Sequence, residues 1–159
     1  MTEIEQFTAP GGRTVGIAGP GDTGAGEVIV ALENAGFAVS TVVAERMHTV
    51  GGVFEEFSTA LEFPDYFGNN KDAFDECMRE LDEIVGEAPG YAVVIRHAAE
   101  LLAEEPDELE WFVDALLFYD EHYGDAEVEF RVLLVVAAGE ADDVQELWRD
   151  YGAEPVELR

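Results

Sequence analysis

Four short apolar runs, rich in β-branched residues, alternate along this chain with segments of helical periodicity. The runs are RTVGIA (13–18), AVSTVVAE (38–45), YAVVIRH (91–97) and EVEFRVLLVVAA (127–138). Strands that alternate with helices of about ten or more residues are typical of a parallel sheet covered by helices. The sequence therefore predicts an α/β fold with a small, mostly parallel sheet of three to four strands.

The predicted helices lie between and after these strands. They cover residues 27–37, 49–61, 70–84, 107–124 and 141–152, and a shorter helix precedes Pro106. Thr49, Asn70 and Asp107 are placed to cap the starts of three of them, and Gly124 to follow the end of the longest. The first dozen residues show no such pattern and are predicted to form a linker.

The charge balance restricts the partners of the chain. It has 36 acidic residues against 8 lysines and arginines, which gives a formal net charge of −28. Such a charge repels nucleic acid and anionic membranes and attracts basic proteins. Adaptation to high salt, or simple solubility, explains the same excess equally well. The placement of the charges must therefore decide between these explanations.

Cysteine usage and hydropathy indicate a compartment. The single cysteine excludes an intrachain disulfide, which suits a reducing environment. The N-terminus has no basic region followed by an apolar one, as a signal peptide would, and no apolar run approaches the length of a membrane span. We therefore expect a cytoplasmic protein.

A glycine-rich stretch between the first predicted strand and helix supports one functional interpretation. GPGDTG (19–24) fits the pattern G-x-G-x-x-G through Gly19, Gly21 and Gly24. Glu45, about 20 residues further on, ends the next predicted strand, where an acid would bind a ribose. This interpretation predicts a nucleotide- or NAD-binding domain. Pro20 lacks an N–H group and Asp22 adds negative charge, which favours a plain turn instead.

The histidines and the cysteine suggest neither catalysis nor metal binding. His48, His97 and His122 have no metal-ligand spacing with one another and are predicted to have packing or surface roles. Cys77 lies on an apolar helix stripe and is predicted to be a small buried hydrophobe. We therefore predict no catalytic residue, no metal site and no cofactor.

Three carboxylates crowd the start of the predicted helix 70–84. Asp72, Asp75 and Glu76 lie within five positions, where like charges repel by a few tenths of a kcal/mol per pair. The apolar stripe of this helix is Phe74, Cys77, Met78 and Leu81. With that stripe buried, the acids should point to water. The helix dipole offsets part of the repulsion, so ordinary helix chemistry is one explanation of the crowding.

The residues around these acids form a pattern of fixed types at fixed spacings. An aromatic pair follows a proline, and then come Gly-x-Asn-x-Asp-Ala, an apolar residue, an acid and a cysteine. The matching residues are Tyr66, Phe67, Gly68, Asn70, Asp72, Ala73, Phe74, Glu76 and Cys77. This segment resembles the signature of the barstar family, intracellular inhibitors of small secreted ribonucleases such as barnase. Looser similarity extends over about 41–136.

The resemblance implies how the segment acts. In that family the helix and the preceding loop cover the active site of the enzyme, and their carboxylates replace substrate phosphates. It implies that Tyr66, Asp72 and Glu76 contact the partner, together with Asp120 near the end of the long helix. The other residues predicted to bind the partner are Phe67, Gly68, Asn70 and Asp75. The sequence departs from the family pattern at three positions. In the family, the position of Lys71 is often apolar, that of Asp75 is often aromatic, and that of Glu76 is usually Asp.

We therefore predict a non-enzymatic, barstar-like inhibitor or immunity protein of a toxin–antitoxin kind. Its expected partner is a basic ribonuclease or toxin, bound one to one, with no nucleic acid, membrane or cofactor. A nucleotide-binding domain, or an acidic interaction module that has lost inhibition, remains an alternative. The predicted single domain consists of a strand–helix extension (1–40), a barstar-like core (41–138) and a C-terminal helix and tail (139–159).

Overall fold

The computed structural model describes residues 2–65 and 67–158. In these residues the strands are β1 (Val15–Ala18), β2 (Phe37–Val43), β3 (Gly90–Arg96), β4 (Glu129–Val135) and β5 (Val156–Glu157). The α-helices are α1 (Glu3–Thr8), α2 (Ala25–Asn34), α3 (Val50–Leu61), α4 (Lys71–Met78), α5 (Leu81–Ile84), α6 (Leu109–Gly124) and α7 (Ala141–Asp150). Short 3-10 turns lie at Ala44–Arg46, Ala98–Glu100 and Pro106–Glu108.

The strands form one parallel sheet in the order β2-β3-β4-β1-β5. The predicted α/β class with a parallel sheet and helical cover is therefore confirmed. The predicted number of three to four strands is too low, because the described residues contain five. The additional strand, β5, is only two residues long, too short to show a pattern in the sequence.

Helices cover both faces of the sheet, and each face has its own apolar cluster. Val93 and Ile95 of β3 belong to the larger cluster, which α3, α4, α6 and α7 cover, whereas Ala92 and Val94 belong to the smaller one under α1 and α2. Burial on both faces explains why the strands read as continuous apolar runs. Among the described residues, no helix is long and apolar enough to cross a membrane.

The first dozen residues are folded against the sheet, in contrast to the predicted linker. Thr2 and Glu5 form a capping box at the start of α1, and Phe7 is buried. Arg131 of β4, 1% exposed, donates to the carbonyl oxygen of Phe7 at 2.8 Å and to that of Ala9 at 2.9 Å. The T-x-x-E spacing of the capping box was the signal for this helix in the sequence.

The charge of Arg131 is balanced within this N-terminal junction. Its guanidinium lies 2.8 Å from the carboxylate of Glu129, which also accepts the N–H of Gly11 at 2.8 Å. Burial alone would raise the pKa of Glu129, but the hydrogen bonds from Arg131 and Gly11 and the arginine charge lower it below its ordinary value. This carboxylate therefore stabilises the fold above its unfolded-state pKa, and the contribution is lost as the pH falls.

Two of the three caps predicted at helix starts are confirmed, and Gly124, predicted to follow the longest helix, is instead its last residue. Thr49 accepts the N–H of Gly52 at 3.1 Å, and Asn70 accepts that of Ala73 at 2.8 Å. Asp107 lies inside the 3-10 turn that precedes α6 and does not cap the helix. Pro106 opens this turn, and α6 begins at Leu109, two residues later than predicted.

Candidate partner-binding surface

Helix α4 is fixed to the core by one aromatic side chain. Phe74 is fully buried, and its ring lies 5.1–6.4 Å, between centroids, from five other rings. These rings are Phe54, Phe57, Phe63, Trp111 and Tyr119. Cys77 and Met78 are buried beside it, as the apolar stripe predicted. The solvent-facing side of α4 is therefore presented on a packed support.

A row of carboxylates lies on the outer side of α4. Asp72 and Glu76 are exposed and one helical turn apart, and exposed Glu80 continues the spacing just after the helix. Burial raises the pKa of the Cys77 thiol, and the charges of Glu80 and Glu76 raise it further. Sequence reasoning missed Glu80, although its i+4 spacing from Glu76 was the available signal.

Asp75 faces a different set of groups. Its Oδ2 lies 3.0 Å from Nε of Arg79, and its side chain is 38% exposed. Burial raises the pKa of Tyr119, and the charge of Asp75 and a hydrogen bond to it raise that pKa further. Asp75 is thus directed at α6 and partly neutralised by an arginine of this protein. The structure does not bring it into the row formed by Asp72 and Glu76.

Lys71 is paired within the protein. Its Nζ lies 2.6 Å from Oε2 of Glu108 and 4.7 Å from the centre of the Trp111 ring. Glu108 therefore compensates the positive charge at the start of α4. The cation is held against the segment that precedes α6 and does not cancel the charge of Asp72 and Glu76.

The loop before α4 holds the other predicted contact residues. Tyr66 lies outside the described residues. Phe67 is half-buried and packs edge-on against Phe63 at 5.1 Å between ring centroids. Gly68 and Asn70 are exposed and joined by a hydrogen bond from Asn70 Nδ2 to the Gly68 carbonyl oxygen at 3.3 Å. These contacts give the loop a defined shape next to the acidic row.

Asp120 lies on α6 among the residues that face α4 and the segment after it. Tyr119 faces Asp75, Tyr123 bonds to Met78, and the Nε2 of His122 donates to the carbonyl oxygen of Arg79 at 3.1 Å. Asp120 is half-buried, about 100° around the helix from Tyr119 and about 60° from Tyr123. Its contact with a partner stays a prediction.

The predicted helix 70–84 is divided into α4 and α5, and Tyr123 of α6 lies at the division. Its hydroxyl donates to the carbonyl oxygen of Met78 and accepts the N–H of Leu81 at 3.0 Å. Two backbone groups at the break are thereby satisfied by a residue more than 40 positions away. Helical periodicity gave no sign of this long-range contact.

The bond network of Tyr123 leads to a prediction about stability. Tyr123→Phe leaves the N–H of Leu81 and the carbonyl of Met78 without this partner, so the free energy of unfolding should fall by about 1–3 kcal/mol. Urea unfolding followed by circular dichroism measures the change. The matched control is Tyr151→Phe, which alters a half-buried tyrosine directly after α7. Equal effects of the two substitutions would contradict a special role for the Tyr123 hydroxyl.

A cavity of about 720 Å³ opens beside the division between α4 and α5. Three rings contribute to its lining, namely Tyr91, His122 and Tyr123. Four carboxylates do so as well, namely Glu80, Asp82, Glu83 and Glu87. Arg79 also lines the cavity, and four carboxylates against this one arginine continue the negative surface of α4 past the end of that helix.

The glycine loop after β1 lacks the geometry of a dinucleotide site. The first N–H groups of α2 donate to the loop itself: Ala25 to the carbonyl of Gly19 at 2.7 Å, Gly26 to Gly21 at 3.0 Å and Glu27 to Gly24 at 3.2 Å. These are the donors that would bind a pyrophosphate. Glu45 follows β2, which β3 and β4 separate from β1, so it cannot reach a ribose held at this loop.

Fold and surface together define a parallel α/β protein that presents exposed carboxylates on a helix fixed to an aromatic core. The family model described as Barstar (barnase inhibitor) matches residues 37–135, from the first residue of β2 to the last of β4. This match covers more than half of the chain, and the protein belongs to the barstar family. The resemblance seen in the sequence is thereby confirmed. Comparison with individually curated proteins gives no significant match.

Proposed function

We propose that this protein is an inhibitor or immunity protein that binds a small basic ribonuclease, or a related toxin, one to one in the cytoplasm. Helix α4 and the loop over 63–70 would cover the active site. One observation carries the proposal. Asp72 and Glu76 are exposed on a firmly seated helix, while the nearby cations Lys71 and Arg79 are each paired with another carboxylate.

Charge complementarity supports this mode of action. A cleft that binds RNA phosphates is lined with cations, and carboxylates at fixed positions complement it. Because Phe74 already holds α4 in place, little conformational entropy needs to be lost on binding. Inhibition of this kind is reversible occlusion, in which no covalent bond is made or broken, so it requires neither catalytic residues nor a cofactor.

The parts of the chain have different roles in this proposal. Residues 41–138 form the inhibitory core of a single domain, which agrees with the family match over 37–135. Residues 1–40 and 139–159 add β1, β5 and three helices around that core. Asp72, Glu76 and the loop residues Phe67, Gly68 and Asn70 form the proposed contact surface, together with Tyr66.

The decisive experiment mixes the protein with barnase, and with any ribonuclease encoded beside its own gene, and follows cleavage of a fluorogenic RNA. We expect complete inhibition at one equivalent and an association rate that falls steeply between about 50 and 500 mM salt, because screening shortens the range of attraction. A complex that leaves RNA cleavage unchanged would favour an acidic interaction module. Absence of any complex at low salt would contradict the proposal.

A further inference from the structure

Three side chains with metal-ligand chemistry meet at the carboxyl ends of β2 and β3. Glu45 lies in the turn after β2, His97 directly follows β3, and Glu100 lies in the next turn. Nε2 of His97 is 2.9 Å from Oε1 of Glu45. One ligand atom from each of the three residues lies within 4.8 Å of the other two. The histidine spacing in the sequence did not indicate this group, because its ligands lie in two segments about 50 positions apart and only one of the three is a histidine.

The backbone brings these segments together. Strands β2 and β3 pair in register as far as Val43 and Arg96, so the turn that carries Glu45 lies beside His97. His97 has the left-handed conformation, with φ 56° and ψ 43°, which few non-glycine residues adopt. Histidine is among the residues that adopt it more readily than most.

A second histidine holds Glu100 from the other side. Nε2 of His48 lies 3.2 Å from Oε1 of Glu100, and its Nδ1 lies 3.3 Å from Oε2 of Glu104. The segment around His48 is itself fixed, because its carbonyl oxygen accepts the N–H of Glu104 at 2.9 Å. Residues that orient a ligand in this way are a regular feature of metal sites.

The charge and type of these groups favour a divalent transition metal. Three carboxylates, Glu45, Glu100 and Glu104, surround two imidazoles, which leaves the cluster negative when the imidazoles are neutral. Zn²⁺ binds imidazole nitrogen and carboxylate oxygen at about 2.0–2.2 Å. Atoms within 4.8 Å of one another come within reach of one such ion after small rotations of these side chains, of which Glu45 and His97 are exposed and Glu100 is half-buried. Imidazole in the set disfavours Ca²⁺ and Mg²⁺, which prefer oxygen ligands alone.

We propose that Glu45, His97 and Glu100 form a binding site for Zn²⁺ or a similar divalent transition metal, with water in the remaining positions. His48 is a positioning residue that orients Glu100. The bound ion would tie together the turns that follow β2 and β3. This inference does not depend on the inhibitor proposal, since none of these residues belongs to α4 or to the loop before it.

To test the site, the full chain is first stripped of metal with a chelator. It is then titrated with Zn²⁺, followed by calorimetry, and with Co²⁺, followed by visible absorption. Excess Mg²⁺ throughout occupies exposed carboxylates that bind cations without selectivity. We expect one saturable site, and an affinity at least about ten-fold lower in His97→Gln and in Glu45→Gln. His122→Gln, which alters the remaining histidine outside the cluster, should bind like the wild type.

The NMR signals of the histidine rings test the site without any variant. Zn²⁺ should shift the ring signals of His97 and leave those of His122 in place. If the wild type shows no saturable Zn²⁺ binding, or if His97→Gln and Glu45→Gln both bind as tightly as the wild type, the side chains form ion pairs only. Either result would overturn the proposal.

Discussion

Replacing both Asp72 and Glu76 with alanine should weaken the complex with the ribonuclease by about two to three orders of magnitude. Truncating one partner of a buried, hydrogen-bonded charge pair costs about 2 kcal/mol or more, which is about 30-fold in affinity. The effects of two neighbouring residues need not add fully. Stopped-flow association and dissociation kinetics measure the change, and most of it should appear in the dissociation rate.

The control for this pair removes the same charge from another face. Glu27 and Glu33 are exposed on α2, which packs against the sheet on the side opposite to α4. Glu27→Ala/Glu33→Ala should slow association slightly through the lower net charge and leave dissociation unchanged. Circular dichroism should be the same for both double variants. Equal losses of affinity would mean that total charge, and not the surface of α4, determines binding.

Phe74→Ala should lower the free energy of unfolding by about 3–5 kcal/mol, the range for truncating a buried aromatic side chain. The ring is fully buried among five others, so its removal opens a cavity where α3, α4 and α6 meet. Urea denaturation at neutral pH gives the value. Affinity for the ribonuclease should fall as well, since α4 loses its anchor.

Phe118 is the matched control for Phe74, because it is 48% exposed on α6. Phe118→Ala should change the free energy of unfolding by no more than about 0.5 kcal/mol, as is usual for surface substitutions. A loss below about 1 kcal/mol in Phe74→Ala would show that the aromatic cluster is not the main support of α4. If that variant still bound the ribonuclease tightly, the contact surface would not depend on the Phe74 ring.

Local patterns in the sequence predicted the parts of the fold that depend on nearby residues. Alternating strands and helices gave the parallel α/β class, and side-chain chemistry gave the caps at Thr49 and Asn70. The division of the helix 70–84 was not predicted, because the hydroxyl that satisfies its backbone belongs to Tyr123. Burial of the N-terminus depends in the same way on Arg131, more than 120 positions from Phe7.

In the candidate surface, too, the sequence predicted only the features that depend on nearby residues. Spacing predicted the exposure of Asp72 and Glu76, since both follow from the position of the apolar stripe. It did not predict that Asp75 turns to Arg79 and Tyr119, or that Glu108 takes up the charge of Lys71. These pairings join side chains on different elements, so they appear only when the helices are packed together.

The position of β1 inside the sheet has a consequence for the integrity of the molecule. Residues matched by the family model end at β4, whose FRVLLV stretch is buried. Without β1 beside it, β4 would become an outer strand with a free row of N–H and C=O groups. Such an apolar border is a template for intermolecular strand pairing and aggregation. The N-terminal segment therefore pairs the backbone groups of β4 that a fragment of residues 37–135 would leave open.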